Sequence, residues 1–371
     1  MLAALTLLAG LLSPQSAETS TTASEPWFER AAADRCAAAA ARGLGWLRDR
    51  QLASGCWTGY VGHKVGDDYE VLLQALLPEA QVKLGRGHLG VTALCGMAFL
   101  ASGSLPDRGP YADVVRRTVA YVESTAMENG YLTDSGTRMY SHAFATLFLA
   151  EVYGSSATAG LRTTLERAVQ LIVETQNQLG GWRYNPFDRE LDLSVTVCQV
   201  QALRAARNIG IRVPADTIER AMEYVRQSRV PRGPHAGLYY YKIHGRGQYE
   251  KPTEYAINAA AATALRSAGI HDEDLHDPVL GFLERDYGEL ARWYGAHYYF
   301  WYGNYYAAQA FYQAGGPRLR SYFARLSTDL LTTQQADGRW RNQTGPGDPF
   351  ATAVACILLQ MPRQYLPIFQ R

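Results

Sequence analysis

The alternation of apolar and polar positions along this chain repeats itself. From Glu25 onward two kinds of helical pattern follow one another, six of each. The first kind carries charge on one face and apolar residues on the other. It covers Trp27–Leu52, Ala112–Met127, Leu161–Gln178, Ala215–Arg229, Leu275–Leu290 and Leu319–Gln335. In the third of these, Leu165, Val169, Leu171 and Ile172 separate from Arg162, Glu166 and Arg167 at helical spacing. The second kind is rich in alanine and almost free of charge. It covers Leu89–Ala101, Ser141–Tyr153, Leu193–Ile209, Thr253–Ala268, Tyr299–Ala314 and Pro349–Met361. A helix with so little polar surface is buried on most sides.

Glycines follow many of the second-kind helices (Gly103, Gly154, Gly210, Gly269, Gly315), as helix C-termini favour. The starts of these helices recur at about fifty residues, the period of a repeated helix pair. One pair cannot bury its apolar face alone, so neighbours must stack. Six apolar inner helices and six polar outer ones predict an all-α fold, an α/α toroid of six helical hairpins. An open solenoid would need polar capping repeats, and neither terminal pair is polar.

The joints between outer and inner helices share a second pattern. Gln51–Gly55–Trp57, Gln176–Gly180–Trp182 and Gln334–Gly338–Trp340 all fit QxxxGxW, with weaker echoes at Gly130–Tyr131 and Gly237–Leu238–Tyr239. Glycine permits a left-handed turn at the end of the outer helix. The aromatic then wedges back, and the glutamine ties off exposed carbonyls. Two joints are long, Gly59–Gly87 and Pro231–Pro252, and long joints on one face of a repeat protein tend to carry function. The first contains VLLQALLP, which is ordinary core material or a peripheral membrane contact.

The QxxxGxW joints resemble the QW motifs of squalene–hopene and oxidosqualene cyclases. The paired-helix repeat, over Trp27–Arg371, is similar to that family and to protein prenyltransferase beta subunits. GGWRYNP, the DLSVT run and the terminal RQYLPIFQR resemble short secreted cyclase-like proteins of planctomycete type. The resemblance implies a toroid with a central cavity holding an apolar, isoprenoid-like ligand. In class II terpenoid cyclases a DxDD motif at an inner-helix start supplies a proton to an alkene or epoxide. The corresponding run here is Glu190-Leu191-Asp192-Leu193-Ser194, with the last acid replaced by Leu193. By this resemblance Asp192 is the proton donor, tuned by Glu190 and His142. Prenyltransferases bind zinc through a DxC pair, and here the pair reads Asp192 and Ser194, without the thiolate. His88, His142 and Asp192 would form a His/His/Asp set acceptable to zinc; no metal and no cofactor is expected.

In a toroid the inner-helix N-termini converge on the central cavity. The polar residues there include His88, His142, Glu190, Asp192, Glu254, Asn258, Tyr302, Tyr305 and Asp348. His88, Glu254, Asn258, Tyr302, Tyr305 and Asp348 are candidate ligand contacts. Helix capping competes with every such role, and Ser141, Asp192, Thr253 and Asp348 occupy expected N-cap positions. A polysaccharide-acting α/α barrel would pair Glu190 or Asp192 with Glu254 or Asp348 as its carboxylates. The Tyr298–Tyr306 cluster would then stack on sugars. A non-catalytic toroid would use that cluster and Tyr239–Tyr241 to hold an apolar small molecule or a protein partner. An acid site predicts a closed, dry cavity around Asp192; a binding module predicts an open bore with Asp192 capping its helix.

Composition narrows the field only a little. The 371 residues carry a net charge of +1, which gives no attraction for nucleic acid. Tyrosine is abundant, at 24 residues, and an apolar ring with a polar tip suits a lined cleft. The five cysteines are scattered and form neither a CxxC nor a disulfide framework. An apolar run from Leu2 to Leu12, then Ser and Thr up to Ser24, resembles a signal peptide or anchor without its basic segment. The expected organisation is therefore a leader and linker over 1–24, one toroid domain over 25–371, and a secreted or periplasmic location.

Overall fold

The charge-free segments fold as the inner helices of a ring, and the amphipathic ones wrap it. The computed structural model describes residues 28–59, 62–65, 68–71, 87–156, 160–244 and 251–366. The expected leader therefore lies outside the described residues, as does most of VLLQALLP. The outer helices are α1 (Arg30–Arg48), α3 (Ala112–Ser124), α5 (Leu161–Glu174), α7 (Ala215–Gln227), α9 (Glu273–Tyr294) and α11 (Gly316–Thr333). The inner helices are α2 (Leu89–Leu100), α4 (Met139–Ser155), α6 (Leu193–Asn208), α8 (Tyr255–Ser267), α10 (Tyr298–Ala314) and α12 (Asp348–Leu359).

Each inner helix packs on the next, and α12 returns to α2, so the inner ring is closed. Each outer helix bridges two inner ones, with α1 packed chiefly on α12 across the chain ends. The fold is an α/α toroid of six hairpins, as the alternation predicts. Among the described residues the one departure from all-helical structure is a short antiparallel hairpin in the first long joint. Its strands, β1 (Gly62–Val65) and β2 (Asp68–Val71), pair Gly62 with Val71 and Val65 with Asp68. Gly103, Gly210, Gly269 and Gly315 take left-handed backbone after inner helices, whereas Gly154 stays within α4.

The three QxxxGxW joints share one set of bonds. The indole Nε1 of Trp57, Trp182 and Trp340 donates to Leu47, Ile172 and Leu330 O respectively, each at 2.8 Å, ten residues back on the outer helix. Each tryptophan is at most 1% exposed. Its backbone N–H donates to a threonine hydroxyl in the next inner helix: Thr92 at 3.1 Å, Thr196 at 3.1 Å and Thr352 at 3.0 Å. The glutamine amide ties its own turn to the following outer helix. Gln176 Nε2 reaches Gly180 O at 2.9 Å and Thr217 O at 2.8 Å. Gln334 does the same with Gly338 O at 2.8 Å and Ala39 O at 2.9 Å, which fastens the last hairpin to the first. Gly180 has φ +92°, and a Cβ there would sit 2.1 Å from Arg220 O, so conformation and close approach both demand glycine.

Candidate functional site

The third joint leaves the outer helix α5 after Glu174 and enters the inner ring at Asp192. The Asp192 N–H donates to Trp182 O at 3.0 Å, which pinches the intervening loop at its base. Leu193 N–H donates to Tyr241 O at 3.0 Å and locks the fourth joint beside it. This base brings Arg183 and Asp192 together at the N-terminus of α6.

Asp192 is fully buried and is the N-cap of α6. Its Oδ1 accepts from Val195 N–H at 2.9 Å and from the Ser194 hydroxyl at 2.6 Å. Its Oδ2 is paired with the Arg183 guanidinium. Both carboxylate oxygens are thus engaged by donors from the protein itself. Arg183 lies 4.3 Å over the Tyr184 ring and 3.8 Å from Glu190 Oε2. Lys242 Nζ meets the same Glu190 oxygen at 2.8 Å, and its side chain is only 5% exposed. Burial works against the charge on Arg183, but Asp192, with Tyr241 and Tyr184, outweighs it and holds the guanidinium protonated.

Tyrosines surround this charged core. Tyr140 of α4 donates to the Ser194 hydroxyl. Tyr302 of α10 donates to Ser194 O at 3.3 Å, and the Tyr184 and Tyr241 hydroxyls meet at 2.7 Å. Tyr140, Tyr184, Tyr241 and Tyr302 are each half-buried. Burial, then neighbouring phenols and Asp192, pushes the Tyr140 hydroxyl well above its ordinary range, so it stays a neutral phenol. With their hydroxyls turned to internal partners, these residues offer ring faces at the mouth of the ring.

The other expected site residues take up different posts. His142 is fully buried and faces the outer ring: Nδ1 accepts from Leu132 N–H at 3.1 Å and Nε2 donates to Ala168 O at 3.1 Å. Nε2 ties it to α5, and Nδ1 serves the second joint, where His142 occupies the post that threonine fills in the QxxxGxW joints. Asn258 does the same in the fourth joint, accepting from Tyr239 N–H at 2.9 Å. His88 caps α2, its Nδ1 accepting from Val91 N–H at 3.3 Å. Burial lowers both histidines to about 4. Glu254 precedes α8 as its N-cap residue without a side-chain cap bond. Asp348 opens α12, accepts from Asn342 N–H at 2.8 Å and pairs with Arg339 at 3.1 Å. Among the described residues no group of three His, Cys, Asp or Glu side chains could hold a metal ion.

Tyr305 lies deeper. The bore below the mouth is filled by side chains from opposite sides of the ring. Tyr140 meets Tyr302 with centroids 6.3 Å apart, and Phe144 meets Tyr305 at 5.7 Å. From α6 to α10, Cys198 Sγ lies 3.1 Å from the Tyr306 hydroxyl, and Gln201 donates to Gln309 at 2.5 Å. Ala351 to Leu359 of α12 are each at most 1% exposed. An open channel would leave one face of each inner helix accessible, and the described residues show none. The central cavity implied by the resemblance is therefore occupied by the protein's own tyrosines. Arg183, Tyr184 and Lys242 at the mouth escaped the sequence reading, although Arg183 directly follows the tryptophan of its joint; Tyr241 was among the expected contact residues of a binding toroid.

No family model and no curated protein matches this sequence. Solved structures share its fold. A type II terpene cyclase, MstE, from Scytonema, solved with geranylgeranyl dihydroxybenzoate, is 11% identical; the match covers 91% of this chain and 99% of that one, with a TM-score of 0.57. An α-1,6-mannanase from Salegentibacter sp., solved as an inactive variant with α-1,6-mannotriose, is 9% identical over 88% of this chain and 98% of that one, with a TM-score of 0.61. An α-amylase from Clostridium perfringens is 8% identical over 87% and 97%, with a TM-score of 0.58. At these identities the likeness is one of fold: this chain is a toroid of the kind used by terpene cyclases and by glycosidases alike.

Proposed function

We propose that this protein is a binding toroid whose site is the tyrosine-lined mouth ahead of α4, α6 and α10, and that its ligand is a saccharide chain. The carrying observation is the state of Asp192. A proton donor to an alkene needs a carboxyl turned to a dry cavity, whereas both oxygens of Asp192 are held by Arg183, Ser194 and Val195 N–H. What remains at the mouth is a set of ring faces with Arg183, Lys242 and Glu190 among them. Flat ring faces beside charged hydrogen-bonding groups suit pyranose rings, which have an apolar face and a hydroxylated rim. The mannanase neighbour, solved with a mannotriose, supports the class of ligand only as an analogy of fold. An isoprenoid in the bore would require the Tyr302, Tyr305 and Phe144 rings to part first. The leader-like run before Ser24 makes export part of this proposal.

The test is affinity electrophoresis of the purified protein in gels containing soluble α-mannan or amylose, beside incubation with geranylgeraniol-derived substrate. Retardation by a polysaccharide that disappears in Tyr184→Ala, with the helical circular dichroism unchanged, supports the proposal. Equal mobility in every gel, or retardation that persists in Tyr184→Ala, overturns it. A cyclised product from the isoprenoid would replace it with the proton-initiated reading.

A further inference from the structure

The opposite end of the bore holds a second polar cluster that the mouth does not explain. Glu151, near the C-terminus of α4, is 5% exposed, and its Oε2 has no hydrogen-bond partner. Gln201 of α6 and Gln313 of α10 also each present a buried polar atom without a partner. These residues belong to one region by register. Between α6 and α10 the cross-bore bonds keep a constant separation of 108 positions through Ser194–Tyr302, Cys198–Tyr306 and Gln201–Gln309. Between α4 and α10, Tyr140 faces Tyr302 and Phe144 faces Tyr305. Continued for about two turns, that pairing sets Glu151 level with Gln313. The charge of Glu151 also acts on Tyr305.

The amide orientation of Gln201 is fixed by its network. Gln309 Nε2 donates to Tyr305 O at 2.9 Å, which leaves Gln309 Oε1 to accept from Gln201 Nε2. Gln201 Oε1 is therefore turned away as a spare acceptor. Counted as chemistry, the cluster has three unmatched acceptor oxygens, on Glu151, Gln201 and Gln313. An occupant that balances it must be rich in donors and need no acceptors, which describes an ammonium. One carboxylate and neutral amide oxygens are too few hard ligands for a calcium-type ion.

We propose that the far end of the bore, framed by Glu151, Gln201 and Gln313, is a binding site for a primary alkylammonium group. One charged group bears on Glu151: Arg204 of α6 attracts its carboxylate and is hydrogen-bonded to Ser267 at 3.3 Å, while Tyr305 of α10 is a neutral phenol. Burial, only partly offset by Arg204, pushes the Glu151 carboxyl up to about 8. The empty site thus carries a proton at neutral pH, and a bound ammonium takes its place. Binding releases that proton and tightens as pH rises.

The experiment is isothermal titration calorimetry of the full chain with n-butylammonium chloride, at pH 6.5 and pH 8.5, in buffers of different ionisation heat. Tetramethylammonium, which has no N–H donors, serves as the control. The expected result is saturable binding about twentyfold tighter at the higher pH, with net proton release at the lower one. Glu151→Gln and, separately, Gln313→Leu should lose it while keeping the wild-type circular dichroism. No saturable binding at pH 8.5, equal binding of tetramethylammonium, an unchanged affinity between the two pH values, or undiminished binding in a folded Glu151→Gln variant each overturns the proposal. These outcomes are independent of saccharide binding at the mouth.

Discussion

Removing the positive partner of Asp192 is the sharpest test of how the mouth is built. Arg183→Gln leaves a fully buried carboxylate with its Ser194 and Val195 N–H bonds but without its counter-charge. Breaking a buried pair on one side costs roughly 3–5 kcal/mol. The Arg183 side chain is 18% exposed, so the lower part of that range applies, about 3 kcal/mol. The variant also loses the stacking of the guanidinium on Tyr184, worth about 1 kcal/mol. Asp192→Asn in the same background removes the orphaned charge while keeping an oxygen to accept from Val195 N–H. The double variant should therefore be more stable than Arg183→Gln alone, by about 2 kcal/mol. Urea unfolding followed by tryptophan fluorescence reads all four corners of the cycle. If the two substitutions add without coupling, the charges do not act on each other as the geometry requires. The account of Asp192 as a fixed anion would then be wrong.

Two further outcomes follow from the joints. His142 is neutral in the fold at about 4, against an ordinary 6.5, so it contributes stability above pH 6.5 that is lost as pH falls towards 4. His142→Asn, which copies the tie made by Asn258, should lose the bond to Ala168 O but flatten the fall in melting temperature between pH 6.5 and 4; an unchanged acid profile would count against the neutral-histidine account. Gly180→Ala should destabilise by more than 2 kcal/mol, because φ +92° and an approach of 2.1 Å to Arg220 O act together, whereas Gly210→Ala, with φ +82° and open space, should cost only about 1 kcal/mol; equal losses in chemical denaturation would refute the role given to close approach.

The helices were legible because burial imposes a period on the sequence. Leu89–Ala101 and Pro349–Met361 carry no charge since every face of an inner helix meets protein, and that pattern survives reading one residue at a time. The QxxxGxW joints were equally plain. Each needs a glycine for its backbone, an indole for its wedge and an amide for two carbonyls, and those demands are local. The inner-helix starts were less sharp: α4 begins at Met139 rather than Ser141, and Gly347 rather than Asp348 precedes α12. The residues that precede those helices, Arg138 and Gly347, make no side-chain cap bond, so cap chemistry does not mark the two starts.

The sequence by itself determined the number of helices, their inner or outer place and the chemistry of the joints, because each depends on residues close together in the chain. Only the tertiary structure decided which polar side chains face one another. His142 lies one turn into an inner helix, as the candidate acid partners do, yet it points to Ala168 of the outer ring. Arg183, nine positions before Asp192, pairs with it because the loop between them is pinched shut at Trp182. Tyr302 and Tyr305 fill the bore because α10 closes against α4 and α6 from across the ring. Glu151 Oε2 lacks a hydrogen-bond partner for the same reason, since the residues that frame it come from two other helices, α6 and α10. Such pairings are set by how rotation and register add up around a closed ring, which no local pattern records.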